Sequence, residues 1–124
     1  MENQEKLEKG IGTKEIEALK PAKVKIEKIE IVEVPEVKAD KIVCSVKHPD
    51  QEDEIHISRV KYLKRDNLVE SGLWYTEDSD GLISKNSALA EFMRYLKVKT
   101  LKEMEGKEAY TVTDKKGYLE FKAY

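Results

Sequence analysis

Between Ala22 and Tyr75 apolar and polar residues alternate with a period of two, the signature of half-buried strands. Val24 and Ile26 share one parity, then Ile29, Ile31 and, less regularly, Val32 and Val34 follow. The shift around Glu27-Lys28 predicts a β-bulge or sharp bend inside one long strand. Pro35 to Asp40 reads as the first loop. Lys41 to Lys47 alternates again, with Ile42, Cys44 and Val46 on one face, and His48-Pro49-Asp50-Gln51-Glu52-Asp53 forms a turn. Glu54 to Leu63 returns as a third strand, in which Ile55 and Ile57 give way to Val60 and Tyr62 on the other parity, placing a second bulge near Ser58-Arg59. Lys64 to Asn67 is turn-like, and Leu68 to Tyr75, with its Leu73-Trp74-Tyr75 knot, allows one extra strand.

The period switches to a helical one once. Leu89, Phe92, Met93 and Leu96 form an i, i+3, i+4, i+7 stripe after Asn86-Ser87, a helix suited to plugging the end of a barrel. Thr100-Leu101-Lys102-Glu103 is a capping box, with Gly106 closing the short turn it starts. Lys107 to Thr113 and Tyr118 to Ala123 then read as a hairpin. One helix between an opening meander and a closing hairpin is the chain order of the OB barrel, and long bent first strands are what small barrels need. The expected architecture is therefore all-β with one helix: an OB-like Greek-key barrel of five or six strands over residues 21–124, the helix lying between the third strand and the C-terminal hairpin. Residues 1–20, charged and carrying Gly10 and Gly12, read as a flexible tail, with room for one helical turn at Thr13 to Leu19 before Pro21.

Composition narrows the functional classes. A chain of 124 residues can bury a core without disulfides or metal, and the lone Cys44 suits a reducing interior. The polar start Met1-Glu2-Asn3-Gln4-Glu5-Lys6 is wrong for a signal peptide, and no apolar run reaches the roughly 20 residues of a membrane span. The expectation is a cytoplasmic protein with no membrane partner. Charged residues make up 39% of the chain yet cancel to a net charge of −2, which argues against a strongly basic duplex binder and leaves room for a local basic groove. With only five Asn and Gln, the Lys- and Glu-rich surface fits either thermophile-like ion-pair networks or an ordinary soluble face of interspersed signs.

Candidate chemistry concentrates on one class. Single strands are gripped by aromatic faces that stack bases and by Lys or Arg that pair with phosphates. The third strand offers Arg59, Lys61 and Tyr62, followed by Lys64 and Arg65, and the second offers Lys47 and His48. In OB barrels these two strands, framed by the first and last loops, form the usual ligand face, and the last loop here is Asp114-Lys115-Lys116-Gly117. Tyr75, Tyr110, Tyr118 and Tyr124 are further platforms, and Trp74 fits a core anchor as well as a stacking residue. Any one tyrosine also fits rim packing and any one lysine a solvated face; their co-location on adjacent strands carries the reading. Whether Glu54, Glu70 and Glu108 neutralise this face depends on geometry.

Other chemistries find little support. Cys44 and His48 are separated by about 13 Å along a strand, too far to share a zinc ion. Asp78-Ser79-Asp80-Gly81 echoes a calcium loop, but Thr76 and Ser87 fall at its first and twelfth positions. No glycine-rich phosphate loop, nucleophile elbow or histidine–nucleophile pair is evident, so neither an enzyme nor a cofactor is expected.

The run Ser87-Ala88-Leu89, Phe92, Leu96-Lys97-Val98, Leu101, Gly106-Lys107 and Gly117-Tyr118 through Tyr124 resembles OB-fold single-stranded-DNA-binding-like small proteins of phages and archaeal viruses. It covers about a third of the chain, and its motifs are structural. The resemblance implies a non-enzymatic single-stranded nucleic-acid-binding protein, DNA favoured, of viral or mobile-element origin. Lys47, Arg59, Lys61, Lys64, Arg65, Lys115 and Lys116 are the expected phosphate contacts and Tyr62, Trp74 and Tyr118 the expected stacking rings. The chain departs from such proteins in lacking a basic excess. The alternative is a protein-interaction module that presents an edge strand or forms a homodimer.

Overall fold

The computed structural model describes residues 19–124. The tail and the helical turn expected before Pro21 therefore lie, apart from Leu19 and Lys20, outside the described residues.

Among the described residues eight strands and one α-helix follow in the order β1 (Lys23–Val34), β2 (Ala39–Lys47), β3 (Ile55–Ile57), β4 (Arg59–Lys64), β5 (Asn67–Gly72), β6 (Trp74–Tyr75), α1 (Ala88–Leu96), β7 (Glu108–Thr113) and β8 (Leu119–Ala123). They form one mixed sheet in the order β3-β2-β1-β7-β8-β4-β5, with β6 added to β2. The hydrogen-bonded path does not close. Its ends are nevertheless joined covalently, because β3 at one end runs into β4 near the other through the single residue Ser58.

The strand count corrects the expected five or six. The third strand is broken at Ser58, so that β3 pairs with β2 while β4 pairs with β5 and, in parallel, with β8. The stretch after Asn67 yields two strands rather than one, since β5 returns along β4 and β6 crosses to β2. The helix thus follows β6 and not the third strand directly.

Local rules account for most elements. Glu27 is the extra residue of a bulge in β1, where the pairing register with β2 shifts between Ile26 and Lys28. Before it, Lys23 to Lys25 pair with Glu108 to Tyr110 of β7; beyond it β1 continues with β2 alone as a ribbon carrying exposed Ile31, Val32 and Val37 near its tip. Ser87 caps α1, its Oγ accepting from Ala90 N at 3.1 Å, and Lys97 ends the helix in the left-handed region. The expected capping box is half met. Thr100 Oγ1 accepts from Glu103 N at 3.3 Å, but the Glu103 carboxylate reaches back to Lys99 N, one residue early.

The core gathers Val24, Ile26, Ile42, Cys44, Val46, Val60 and Phe121 from the strands and Leu89, Phe92 and Met93 from α1. Phe92 stacks on Phe121 with ring centroids 4.5 Å apart, fastening the helix to β8. Cys44 is fully buried, and desolvation pushes its thiol up to about 12, so it is a packing residue and no nucleophile. Phe121→Ala removes both the ring stack and a filled volume. It should cost about 3–5 kcal/mol in urea unfolding, much more than truncation of the exposed Leu82.

Candidate nucleic-acid interface

Arg59 opens β4 and sits opposite Gly72 of β5. Its Nε lies 3.8 Å from Glu120 Oε2 on β8 and its Nη2 4.0 Å from Glu70 Oε2 on β5. Lys61, two residues on along the same face, places Nζ 3.7 Å from the other Glu70 oxygen and lies beside Lys122 of β8. Two cations therefore share Glu70.

The β7–β8 turn completes this corner. Asp114 Oδ1 accepts from Lys116 N at 2.8 Å and Tyr118 N at 2.9 Å, and Gly117 supplies the positive φ of 88° that the turn needs. The turn so fixed brings Lys115, Lys116 and Tyr118 beside Arg59, Glu70 and Asp114 around an open cleft of about 420 Å³. A second cleft of about 460 Å³, lined by Ile55, His56, Ile57 and Leu119, lies against the same Lys116 and Tyr118. Tyr118, 70% exposed, stands between the two.

On the other side of Arg59, Trp74 of β6 pairs with Lys41 of β2, whose Nζ lies 5.1 Å from the indole centroid in cation–π contact. Burial, and then the charge of Arg59, lower the Lys41 pKa from its usual value. Gly72 permits the packing: a Cβ there would stand 2.9 Å from Trp74 Nε1 and 3.0 Å from Lys41 Cε. Val32 of β1 lies opposite Lys41. One surface thus carries Trp74, Lys41, Arg59, the basic turn and Tyr118 in succession.

Six of the ten expected residues belong to this region: Arg59, Lys61, Trp74, Lys115, Lys116 and Tyr118. Lys64 ends β4 on the parity of Val60 and Tyr62, away from the Arg59–Lys61 face. The structure moves the others. Tyr62 is buried on the core side with Val60, so it is withdrawn as a stacking platform. Arg65 sits at the tip of the β4–β5 hairpin, where it and Asp66 take the positive φ values of a two-residue turn. Lys47 faces a separate cleft with Lys23, Lys25 and Glu108, and its Nζ donates to Glu52 O at 2.6 Å. His48 is also lost as a contact, being fully buried with Nε2 2.8 Å from Lys20 O and Nδ1 accepting from Asp50 N. Of the three glutamates in question, Glu70 neutralises the face and Glu108 pairs with Lys23 instead.

Sequence reasoning missed Lys41, Gly72 and, above all, Glu120. Lys41 was detectable, since it alternates against buried Ile42. Glu120 alternates with Phe121 and so reads as solvent-facing, yet it is fully buried and neither carboxyl oxygen has a hydrogen-bond partner. Its burial pushes the carboxyl up to about 7, helped by the adjacent Glu70 carboxyl and by Asp114 and opposed by Arg59. Among the described residues no three His, Cys, Asp or Glu side chains gather as a metal site, and no helix is long and apolar enough to cross a membrane. Comparison with known protein families, curated proteins and solved structures finds no match.

A carboxyl raised on folding holds its proton in the native state after the unfolded chain has lost it. Stability therefore falls as pH rises from the unfolded value near 4.5 through the folded value near 7. Thermal melts should show a midpoint that declines from pH 5 to pH 8, and Glu120→Gln should flatten that decline. The variant should gain on the order of 2–3 kcal/mol over wild type at pH 8 and little at pH 5.

Proposed function

We propose that the chain is an OB-like barrel that binds single-stranded nucleic acid without catalysis, DNA favoured, along the surface from Trp74 to Tyr118. The observation that carries the reading is that succession itself: the half-buried Trp74 and the exposed Tyr118 with Lys41, Arg59, Lys115 and Lys116 between them. A flexible strand needs that alternation of stacking faces and phosphate partners. The OB-like part of the reading is supported by the strand pairings. The antiparallel meander β1-β2-β3 continues into β4, β4 takes β8 in parallel, and β7 joins β8 back to β1, with the helix before the closing pair. The resemblance of the C-terminal third to phage and archaeal-virus proteins supports a viral or mobile-element origin.

A second reading has one observation in its favour. β5 ends the pairing order, and the Leu63–Leu68 pair near its tip is about half exposed, as an edge strand that accepts a partner strand or a second copy would be.

Fluorescence anisotropy with labelled mixed-sequence single-stranded DNA and RNA separates the two. Saturable binding at low salt is expected, with log affinity falling by about 0.7 per phosphate contact for each decade of salt. Lys41→Ala or Lys115→Ala should each weaken binding and flatten that slope by about one contact, and Tyr118→Ala should cost about 1–3 kcal/mol, roughly 5- to 150-fold. Flat traces at low salt, with a dimer by light scattering, would reject this reading in favour of the edge strand.

A further inference from the structure

The nucleic-acid reading leaves Glu120 without a task, although a fully buried carboxyl with no hydrogen-bond partner lies directly beside the central cation of the surface. Resting on that reading, we propose that Glu120 is a proton-operated gate on Arg59. Ionised, it draws the guanidinium down onto the sheet; protonated, it releases the guanidinium to the phosphate of a bound strand.

The geometry has the three parts such a gate needs. First, Arg59 is poised and not locked. Its nitrogens lie 3.8 and 4.0 Å from Glu120 and Glu70, well beyond the 2.7–2.9 Å of a closed charge-assisted bond, and its side chain is 45% exposed. A rotamer change can close the pair or open it toward the cleft. Second, the charge that decides between these states is internal. The charged groups facing Glu120 are Arg59 of β4, Glu70 of β5 and Asp114 of the β7–β8 turn, with Lys122 two residues along β8 itself and Lys61 reaching only Glu70. Val112, its partner on β7, carries no charge. A second carboxylate, Glu70, lies within reach of the same guanidinium, so the proton on Glu120 sets whether Arg59 sees one negative charge or two. Third, a phosphate competes for the same cation. A strand that draws Arg59 outward leaves Glu120 buried beside Glu70 with its compensating charge removed, which is costly unless the carboxyl takes up a proton. Binding is therefore coupled to proton uptake, and affinity rises as pH falls.

The experiment is the same anisotropy titration with a mixed-sequence single-stranded DNA at pH 6, 7 and 8, at one low ionic strength, for wild type, Glu120→Gln and Glu70→Gln. Wild-type affinity should fall by up to about tenfold from pH 6 to pH 8, the limit set by uptake of one proton by a carboxyl titrating near 7. Glu120→Gln should bind at pH 8 about as wild type binds at pH 6, with little pH dependence. Glu70→Gln, which leaves Glu120 without its carboxyl neighbour, should flatten the same window even if Glu120→Gln fails to fold.

Equal pH slopes in wild type and both variants would overturn the gate and leave the nucleic-acid reading standing. Absence of binding by every variant at pH 6 would overturn that reading, and the gate with it. In the free protein, carboxyl carbon NMR should show Glu120 titrating near neutrality while the Arg59 Nε–H resonance shifts in step. Titration of Glu120 alongside the exposed glutamates would overturn the gate whatever the binding data show.

Discussion

Both faces of this molecule depend on a parallel pairing only three residues long, Val60 with Phe121, Lys61 with Lys122 and Tyr62 with Ala123. On the inner side it seats Phe121 beneath Phe92, so the helix is held by a residue of the C-terminal strand. On the outer side it sets Glu120 beside Arg59 and Lys122 beside Lys61. Alternation of side chains along β8 means the same register determines both outcomes, and a slip of one residue would exchange them. Core packing thereby specifies the electrostatics of the cleft.

The surface so built resolves an apparent contradiction in the composition. A net charge of −2 leaves no overall basic excess, yet cations are drawn into one corner and several carboxylates are placed next to them. Glu70 is shared by Arg59 and Lys61, and Asp114 is occupied in holding its turn. Such a surface restrains nonspecific attraction, because a ligand must displace internal partners to gain the cations. It favours a ligand that also offers rings to Trp74 and Tyr118, where stacking adds what electrostatics alone leaves out.

Period and capping made the elements legible in the sequence, and the pairing between distant segments was not. The bulge at Glu27, the Ser87 cap, the closing hairpin and the core parity of Ile42, Cys44 and Val46 all follow from local rules and are all present. The parity that put Tyr62 with Val60 already pointed inward; treating the ring as a platform set chemistry above period. The break at Ser58 was visible as a shift of parity, but not its result, since no local feature announces that β4 will leave β2 for a strand some sixty residues later. Glu120 was illegible because it is polar on a face that ought to be wet and is covered by Arg59 and Glu70, which only the tertiary fold brings near. His48 instead continues the inward parity of Ile42, Cys44 and Val46, so its burial was readable from the period.

The break at Ser58 also has a consequence for how the chain is made. During synthesis the meander through β5 is complete while β8 is still 47 residues away, counted from Gly72 to Leu119. For that interval one edge of β4 has no partner, and an open strand edge invites pairing with other chains. The unpaired edge carries Arg59, Lys61 and Lys64, charges of one sign that repel a second copy of the same edge. Charges on the outer surface of the finished sheet thus also protect the nascent chain from aggregation until its own C-terminal strand arrives.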